Sequence, residues 1–171
     1  GPRACYTRGM TEVDVLIIGA GGAGMMCAIQ AGRRGRRVHI LDHATKLGGK
    51  ILISGGGRCN VTTGITDVRT VLTKYPRGTK FLTTAIYAFP PAKVREWFEA
   101  QSVPLKCVDD LRVFPVSDDG HDIVRVFEDL FDADGSEIYL KPMSDYIKPG
   151  EQVDFYEVLE SAKRKGQTAI G

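Results

Sequence analysis

The sequence predicts an α/β fold: an incomplete doubly wound parallel sheet, followed by helices and a hairpin. Three observations carry that expectation. Val15-Leu16-Ile17-Ile18 is an apolar, largely β-branched run of buried-strand type. It empties directly into Gly19-Ala20-Gly21-Gly22-Ala23-Gly24, a G-x-G-x-x-G that opens a helical segment. A second strand-like run, Val38-His39-Ile40-Leu41, then ends at Asp42. Strand, glycine turn, helix, strand and acid together describe a Rossmann-like βαβ unit suited to a dinucleotide.

Each position in that unit has a physical reason. Gly19 lets the chain turn sharply out of the strand, Gly21 leaves no side chain between backbone and a diphosphate, and Gly24 lets the helix pack close on the sheet. The N–H groups of Gly22, Ala23 and Gly24 at the helix start then face an anion, with the helix dipole adding partial positive charge. Asp42 lies 18 residues past Gly24, where a carboxylate can accept hydrogen bonds from a ribose. Ala28 and Ala31 suit a helix pressed on a sheet, and Gly35 followed by Arg36 and Arg37 marks its end. The cluster Arg33, Arg34, Arg36 and Arg37 reads as a solvated helix end.

Length and composition set the outer limits. A chain of 171 residues is about one ordinary domain with enough apolar content for a core, and a net charge of +2 gives no reason to expect a nucleic-acid partner. Cys5, Cys27, Cys59 and Cys107 show no C-x-x-C spacing and build no metal site with His39, His43 and His121. Reduced thiols and a cytoplasmic location are the expectation. The apolar runs are too short for membrane insertion, and no signal-peptide pattern is present.

Taken in order, residues 1–9 read as a disordered leader or read-through remnant ahead of Met10. The βαβ unit occupies roughly 13–42. Lys46 to Asn60 is a second glycine-rich segment, Lys46-Leu47-Gly48-Gly49-Lys50-Ile51-Leu52-Ile53-Ser54-Gly55-Gly56-Gly57-Arg58-Cys59-Asn60. Its successive N–H groups can form an anion-binding concavity, and Arg58 adds planar cationic donors, which would suit a phosphate or a flavin edge. A flexible surface loop is the alternative. Cys59, without a resolving partner, reads as structural rather than redox-active.

Beyond it, Thr66 to Lys74 reads as a helix with Val68, Val71, Leu72 and Tyr75 on one face, and Lys80 to Phe89 as a second helix. A third starts at Pro90-Pro91, with Val94, Trp97 and Phe98 as its apolar face. Val103 to Val108 and Leu111 to Val116 alternate like a hairpin around Asp109-Asp110. Asp118 to Phe131 reads as a helix with Ile123, Phe127, Leu130 and Phe131 inward and His121 exposed without a partner by spacing. Asp132 to Pro142 is a turn into a short strand. A helix follows from Asp154, with Phe155, Val158, Leu159 and Ala162 as its apolar face, and then a strand from Thr168.

Two resemblances add to this. Asp14-Val15-Leu16-Ile17-Ile18-Gly19-Ala20-Gly21-Gly22-Ala23-Gly24, then Lys50-Ile51-Leu52-Ile53-Ser54-Gly55-Gly56-Gly57-Arg58-Cys59-Asn60, then Arg112-Val113-Phe114-Pro115-Val116-Ser117-Asp118 resemble the HI0933-like or BaiN-like NAD(P)/FAD-dependent oxidoreductases over about residues 13–130. The resemblance implies that Gly19, Gly21, Gly22, Ala23, Gly24 and Asp42 bind FAD, with Gly49, Lys50, Ser54, Gly55, Gly56, Arg58, Cys59 and Asn60 beside it, and NAD(P)H as reductant. The chain would then be a flavin-dependent oxidoreductase, or its N-terminal dinucleotide-binding portion, acting on a small unsaturated or carbonyl-bearing substrate. No catalytic residue is assigned. Residues from about 131 to 171 resemble a cytosolic piece of Castor/Pollux-type ion channels through G-S-E-I-Y-L-K-P and G-Q-T-A-I-G, which divides the chain at about 130 and raises a second reading, a nucleotide-sensing regulatory module. A third is a non-catalytic fragment that self-associates through an unpaired sheet edge. With only two strands of the nucleotide-binding sheet legible, FAD retention by the isolated chain is expected to be weak or absent.

Overall fold

The structure, a computed structural model, describes residues 13–44, 46–133 and 138–142. The chain divides into two compact units, one built from residues up to 45 together with those from 131 onward, the other from 46–130.

In the first unit Val15–Ile18 (β1) leads into Gly22–Gly32 (α1) and returns as Val38–Asp42 (β2). β1 and β2 pair in parallel with Val15 opposite Val38 and Ile18 opposite Leu41. Ile138–Pro142 then pairs in parallel with the other side of β2, Val38 opposite Ile138, so β2 is the central strand of three. That position explains its continuous apolar run: Val38, His39, Ile40 and Leu41 are all buried, as in a parallel strand covered on both faces. Met25, Ala28 and Ile29 are the buried stripe of α1, whose C-terminus closes at Gly35, in left-handed conformation at φ 71°. The arginines past that end behave as expected of solvated cations: Arg34 donates to the Gln30 carbonyl and Arg37 pairs with Asp14.

The second unit begins with Gly49–Ile53 (α2), a 3-10 turn over Ser54–Gly57, and the two-residue strand Thr62–Thr63 (β3). Three helices follow: Val68–Thr73 (α3), capped by the Asp67 carboxylate on the Thr70 N–H, then Thr79–Ala88 (α4) and Pro91–Ala100 (α5), with proline in its first turn. Leu105–Cys107 (β4) and Arg112–Pro115 (β5) form an antiparallel hairpin, to whose free side β3 adds. His121–Asp132 (α6) ends the insertion. Ile123, Val124, Val126 and Phe127 give α6 its buried face, and Phe127 meets Phe98 of α5 edge-on, 6.1 Å between ring centres.

Several expectations need correction. The nucleotide-binding sheet has a third strand, because Ile138–Pro142 docks on β2; the chain between the two strands is an entire second unit, and no spacing argument bridges such an insertion. The glycine-rich segment is no continuous loop, since residues 49–53 complete a helical turn. Tyr75 lies exposed rather than on the buried face of α3, which consists of Val71 and Leu72. His121 does have a partner, its Nδ1 lying 2.7 Å from Asp119 Oδ1. The helix from Asp154 and the strand from Thr168 fall outside the described residues.

Candidate functional site

The mouth of α1 is shaped by its glycines. Gly19 adopts φ 103°, a conformation that side chains resist, and turns the chain across the end of β1. A Cβ on Gly24 would lie 2.0 Å from the Gly19 carbonyl oxygen and 3.3 Å from Ile17 Cγ2, so this glycine sets how closely α1 approaches the strand. Gly21 is different: a Cβ there would meet nothing within 4 Å. No side chain caps α1, and Gly21, Gly22 and Ala23 are exposed, so its first amides open outward as an anion-binding cradle.

Asp42, at the end of β2, faces this loop. Its Oδ2 accepts the Ala20 N–H at 2.6 Å, and its Oδ1 accepts the Ala44 N–H at 2.8 Å, with His43 Nδ1 3.0 Å away. Burial by itself would raise the Asp42 pKa; the amides of Ala44 and Ala20 and the nearby His43 outweigh it, and the carboxyl is held below its ordinary value. The sequence assigns this acid to a ribose. The structure adds a prior duty that spacing does not reveal, holding the glycine loop, and leaves the second lone pair of Oδ2, the oxygen that His43 does not approach, for a ligand.

In the second unit Ser54, Gly55, Arg58, Cys59 and Asn60 are brought together on the hairpin. The Ser54 hydroxyl donates to the Ile51 carbonyl at 2.9 Å, and the Cys59 N–H donates to the Ser54 carbonyl at 3.0 Å. Arg58 Nε donates to the Gly55 carbonyl at 3.2 Å while its guanidinium lies 4.0 Å above the Phe114 ring. Asn60 Oδ1 accepts the Val113 N–H, and the Gly120 N–H donates to the Gly57 carbonyl at 2.9 Å. Gly55 has φ 57°, and a Cβ there would stand 2.9 Å from Phe114 Cε1. The segment is therefore fixed, and Arg112–Asp118 forms its floor. Cys59 is buried, which pushes its thiol pKa up against a weaker opposing hydrogen bond from Ser54. Gly56, Gly49 and Lys50 are exposed, and the Lys50 carbonyl accepts the Ser54 N–H. Phe114 and Gly120 were missed as site residues; the Arg112-to-Asp118 motif contained the first, and an Asp-Asp-Gly-His turn signalled the second.

A parallel sheet with a glycine turn, an uncapped helix mouth and an acid at the end of the second strand defines a dinucleotide-binding half of Rossmann type. The chain belongs to the family described as HI0933-like protein Rossmann domain, whose match covers residues 13–168. That range runs on through residues 131–168, so the family match takes in the segment whose motifs resemble Castor/Pollux-type channels. Among curated proteins, the ribosomal RNA dihydrouridine synthase of Escherichia coli (strain K12) is 58% identical over 53 residues, 31% of this chain and 13% of that protein. The urocanate reductase of Eggerthella lenta is 44% identical over 46 residues, 27% of this chain and 8% of that protein. The acrylate reductase flavoprotein subunit of Shewanella woodyi is 50% identical over 46 residues, 26% and 9% of the two lengths. The matched stretches thus span a small part of these relatives. Among solved structures, the open conformation of a flavocytochrome c3 fumarate reductase aligns with TM-score 0.54 at 24% identity, covering 75% of this chain and 26% of that one. The 3-ketosteroid-delta4-(5alpha)-dehydrogenase from Rhodococcus jostii RHA1 aligns with TM-score 0.55 at 15% identity, covering 79% and 39%. These likenesses carry the fold.

Proposed function

We propose that this chain is the FAD-binding part of a flavin-dependent reductase acting on a carbon–carbon double bond conjugated to a carbonyl. One observation carries the cofactor half of the proposal: the open, uncapped start of α1, with Gly21 bare and Gly24 close against Gly19, leaves the first amides of the helix unobstructed for a diphosphate. Gly19, Gly21, Gly22, Ala23 and Gly24 would hold the diphosphate, and Asp42 would accept from the adenosine ribose through the remaining lone pair of Oδ2. Gly49, Lys50, Ser54, Gly55, Gly56, Arg58, Cys59 and Asn60 enter the proposal through the family resemblance, each as a residue of its own unit.

The substrate half draws on chemistry shared by the named relatives. Urocanate and acrylate are α,β-unsaturated acids, and dihydrouridine is the hydrogenated form of a uracil ring whose double bond is conjugated to a carbonyl. Bound FAD would supply the hydride chemistry, with NAD(P)H as the proposed reductant; the protein supplies binding and orientation. Equilibrium dialysis of the purified chain tests the cofactor assignment. With Ile138–Pro142 docked on β2 the reason for expecting weak or absent retention, a sheet of only two strands, falls away, and the expected outcome becomes FAD retention in the micromolar range, competed by ADP and not by FMN. FMN binding as tightly as FAD, or no competition by ADP, would overturn it.

A further inference from the structure

The near-balanced net charge behind the expectation of no nucleic-acid partner averages over a segregated distribution. Between Asp67 and Glu96 there is no acidic residue, while Arg69, Lys74, Arg77, Lys80, Lys93 and Arg95 all fall within that stretch. Arg95 pairs with Glu99. Among the described residues the other five form no ion pair, and all five are exposed.

The same stretch carries aromatic side chains on its outside. α4 buries no residue fully. Its less exposed positions, Thr79, Leu82, Thr83 and Ile86, lie on one side at helical spacing, and Lys80, Phe81, Thr84 and Tyr87 lie on the other. Phe81 is 88% exposed and Tyr87 51%, so neither ring is explained by core packing. Lys74, Arg77, Lys80 and Phe81 run in sequence over the α3–α4 turn and into the first turn of α4, with the turn held by the Thr79 hydroxyl donating to the Tyr75 carbonyl at 2.9 Å. A hydrophobic partner alone would leave those cations uncompensated, and a purely acidic partner would leave the rings unused. Phosphates spaced along a flexible strand of stackable bases satisfy both.

We infer that the α3–α4 turn and the outward face of α4 bind single-stranded RNA, with Lys74, Arg77 and Lys80 on phosphates and Phe81 stacked on a base. This deepens the proposed function by naming a polymer as bearer of the reducible ring, and it rests on that reading only for what happens after binding. The surface lies wholly within the second unit and needs no FAD, so RNA binding and flavin binding fail independently.

The test is fluorescence anisotropy of the purified chain with a labelled 20-nucleotide oligouridylate, without FAD, across a salt series. With these three cations on phosphates, log K falls against log salt with a slope of about −2, roughly 20-fold weaker binding at 200 mM than at 50 mM. Lys74→Gln/Arg77→Gln/Lys80→Gln should bring the slope to about zero. Phe81→Ala, which removes a ring that packs against little and so leaves folding intact, should weaken binding by about tenfold with the slope unchanged. No salt-dependent binding at 50 mM, or wild-type binding by both variants, overturns the inference. So does an affinity for heparin equal to that for RNA and indifferent to Phe81→Ala, which would mark plain polyanion exchange. Sedimentation of the same proteins covers the remaining occupant: a dimer that Phe81→Ala dissociates would give this face to a second copy of the chain.

Discussion

Gly24→Ala and Gly21→Ala add the same methyl group three residues apart, yet the structure gives them opposite consequences. At position 24 the new Cβ would stand 2.0 Å from the Gly19 carbonyl oxygen and 3.2 Å from its carbon. Both obstacles are backbone, so relief requires α1 to retreat by about 1 Å, and overpacking of that kind costs about 1–3 kcal/mol or more. Retreat also loosens Met25, Ala28 and Ile29, which are sealed against the sheet. A loss near 3 kcal/mol would lower the melting temperature by about 6–12 °C in a domain of this size. At position 21 φ is −79° and the space is empty, so Ala costs at most about 1 kcal/mol as a poorer N-cap, partly offset by a stiffer unfolded chain. Its methyl would, however, occupy the approach to the α1 amides. Circular-dichroism melts and FAD dialysis on the two variants separate these effects: Gly24→Ala should melt early, and Gly21→Ala should melt normally but lose FAD at least tenfold. An unchanged melt for Gly24→Ala would refute the packing argument, and unchanged FAD binding by Gly21→Ala would refute the cradle.

Asp42→Ala leaves the Ala20 and Ala44 amides without their acceptor and should cost about 1–3 kcal/mol in urea unfolding. Because the folded pKa of Asp42 lies below its unfolded value of about 3.9, the charge-dependent part of its contribution is complete above that value and is lost as pH falls through the folded one; a wild-type-to-variant gap that does not narrow as pH is lowered below about 3.9 would contradict this. Gly55→Ala forces a side chain to φ 57° and against Phe114, a cost of about 2–4 kcal/mol readable as an early melt; a normal melt would show that the loop is not seated on that ring. Iodoacetamide at pH 7.5 should label exposed Cys107 and spare buried Cys59, read by mass spectrometry of the peptides, and equal labelling would remove the structural role given to Cys59.

The βαβ unit was legible because its constraints are local. Three glycines and an apolar strand specify a turn whose geometry closes within ten residues, and β2 declared its burial through an unbroken apolar run. The three helices and the hairpin of the second unit were legible for the same reason, each having its own period or turn residues. What was not legible depends on residues distant in sequence. Nothing in Ile138-Tyr139-Leu140 points to β2 rather than to another edge, since parallel pairing leaves no turn to read and nearly a hundred residues intervene. The seat of the second glycine segment was hidden likewise: Gly55 and Phe114 meet across 59 positions of sequence, and each alone reads as a loop glycine and a strand aromatic.

Asp42 shows how a residue read from its position alone can carry a structural duty that spacing does not reveal. Spacing from Gly24 places the acid where a sugar would be, but its nearest partners are the Ala20 amide of the glycine loop and the Ala44 amide just past β2. A carboxylate that accepts the Ala20 N–H fixes the path of the chain between Gly19 and Gly21 before any ligand arrives, so less ordering entropy remains to be lost on binding. Asp, one methylene shorter than Glu, holds that loop at 2.6 Å with its side chain largely buried. Asp42→Glu would push the carboxylate farther out, where it could reach a ribose but would no longer fit beneath the Ala20 amide without displacing it. The expected signature is a split: lower stability of the free chain together with FAD affinity reduced less than in Asp42→Ala. If Asp42→Glu instead matched wild type in both the melt and the dialysis, the carboxylate would be serving the ligand alone, and its contact with the glycine loop would be incidental.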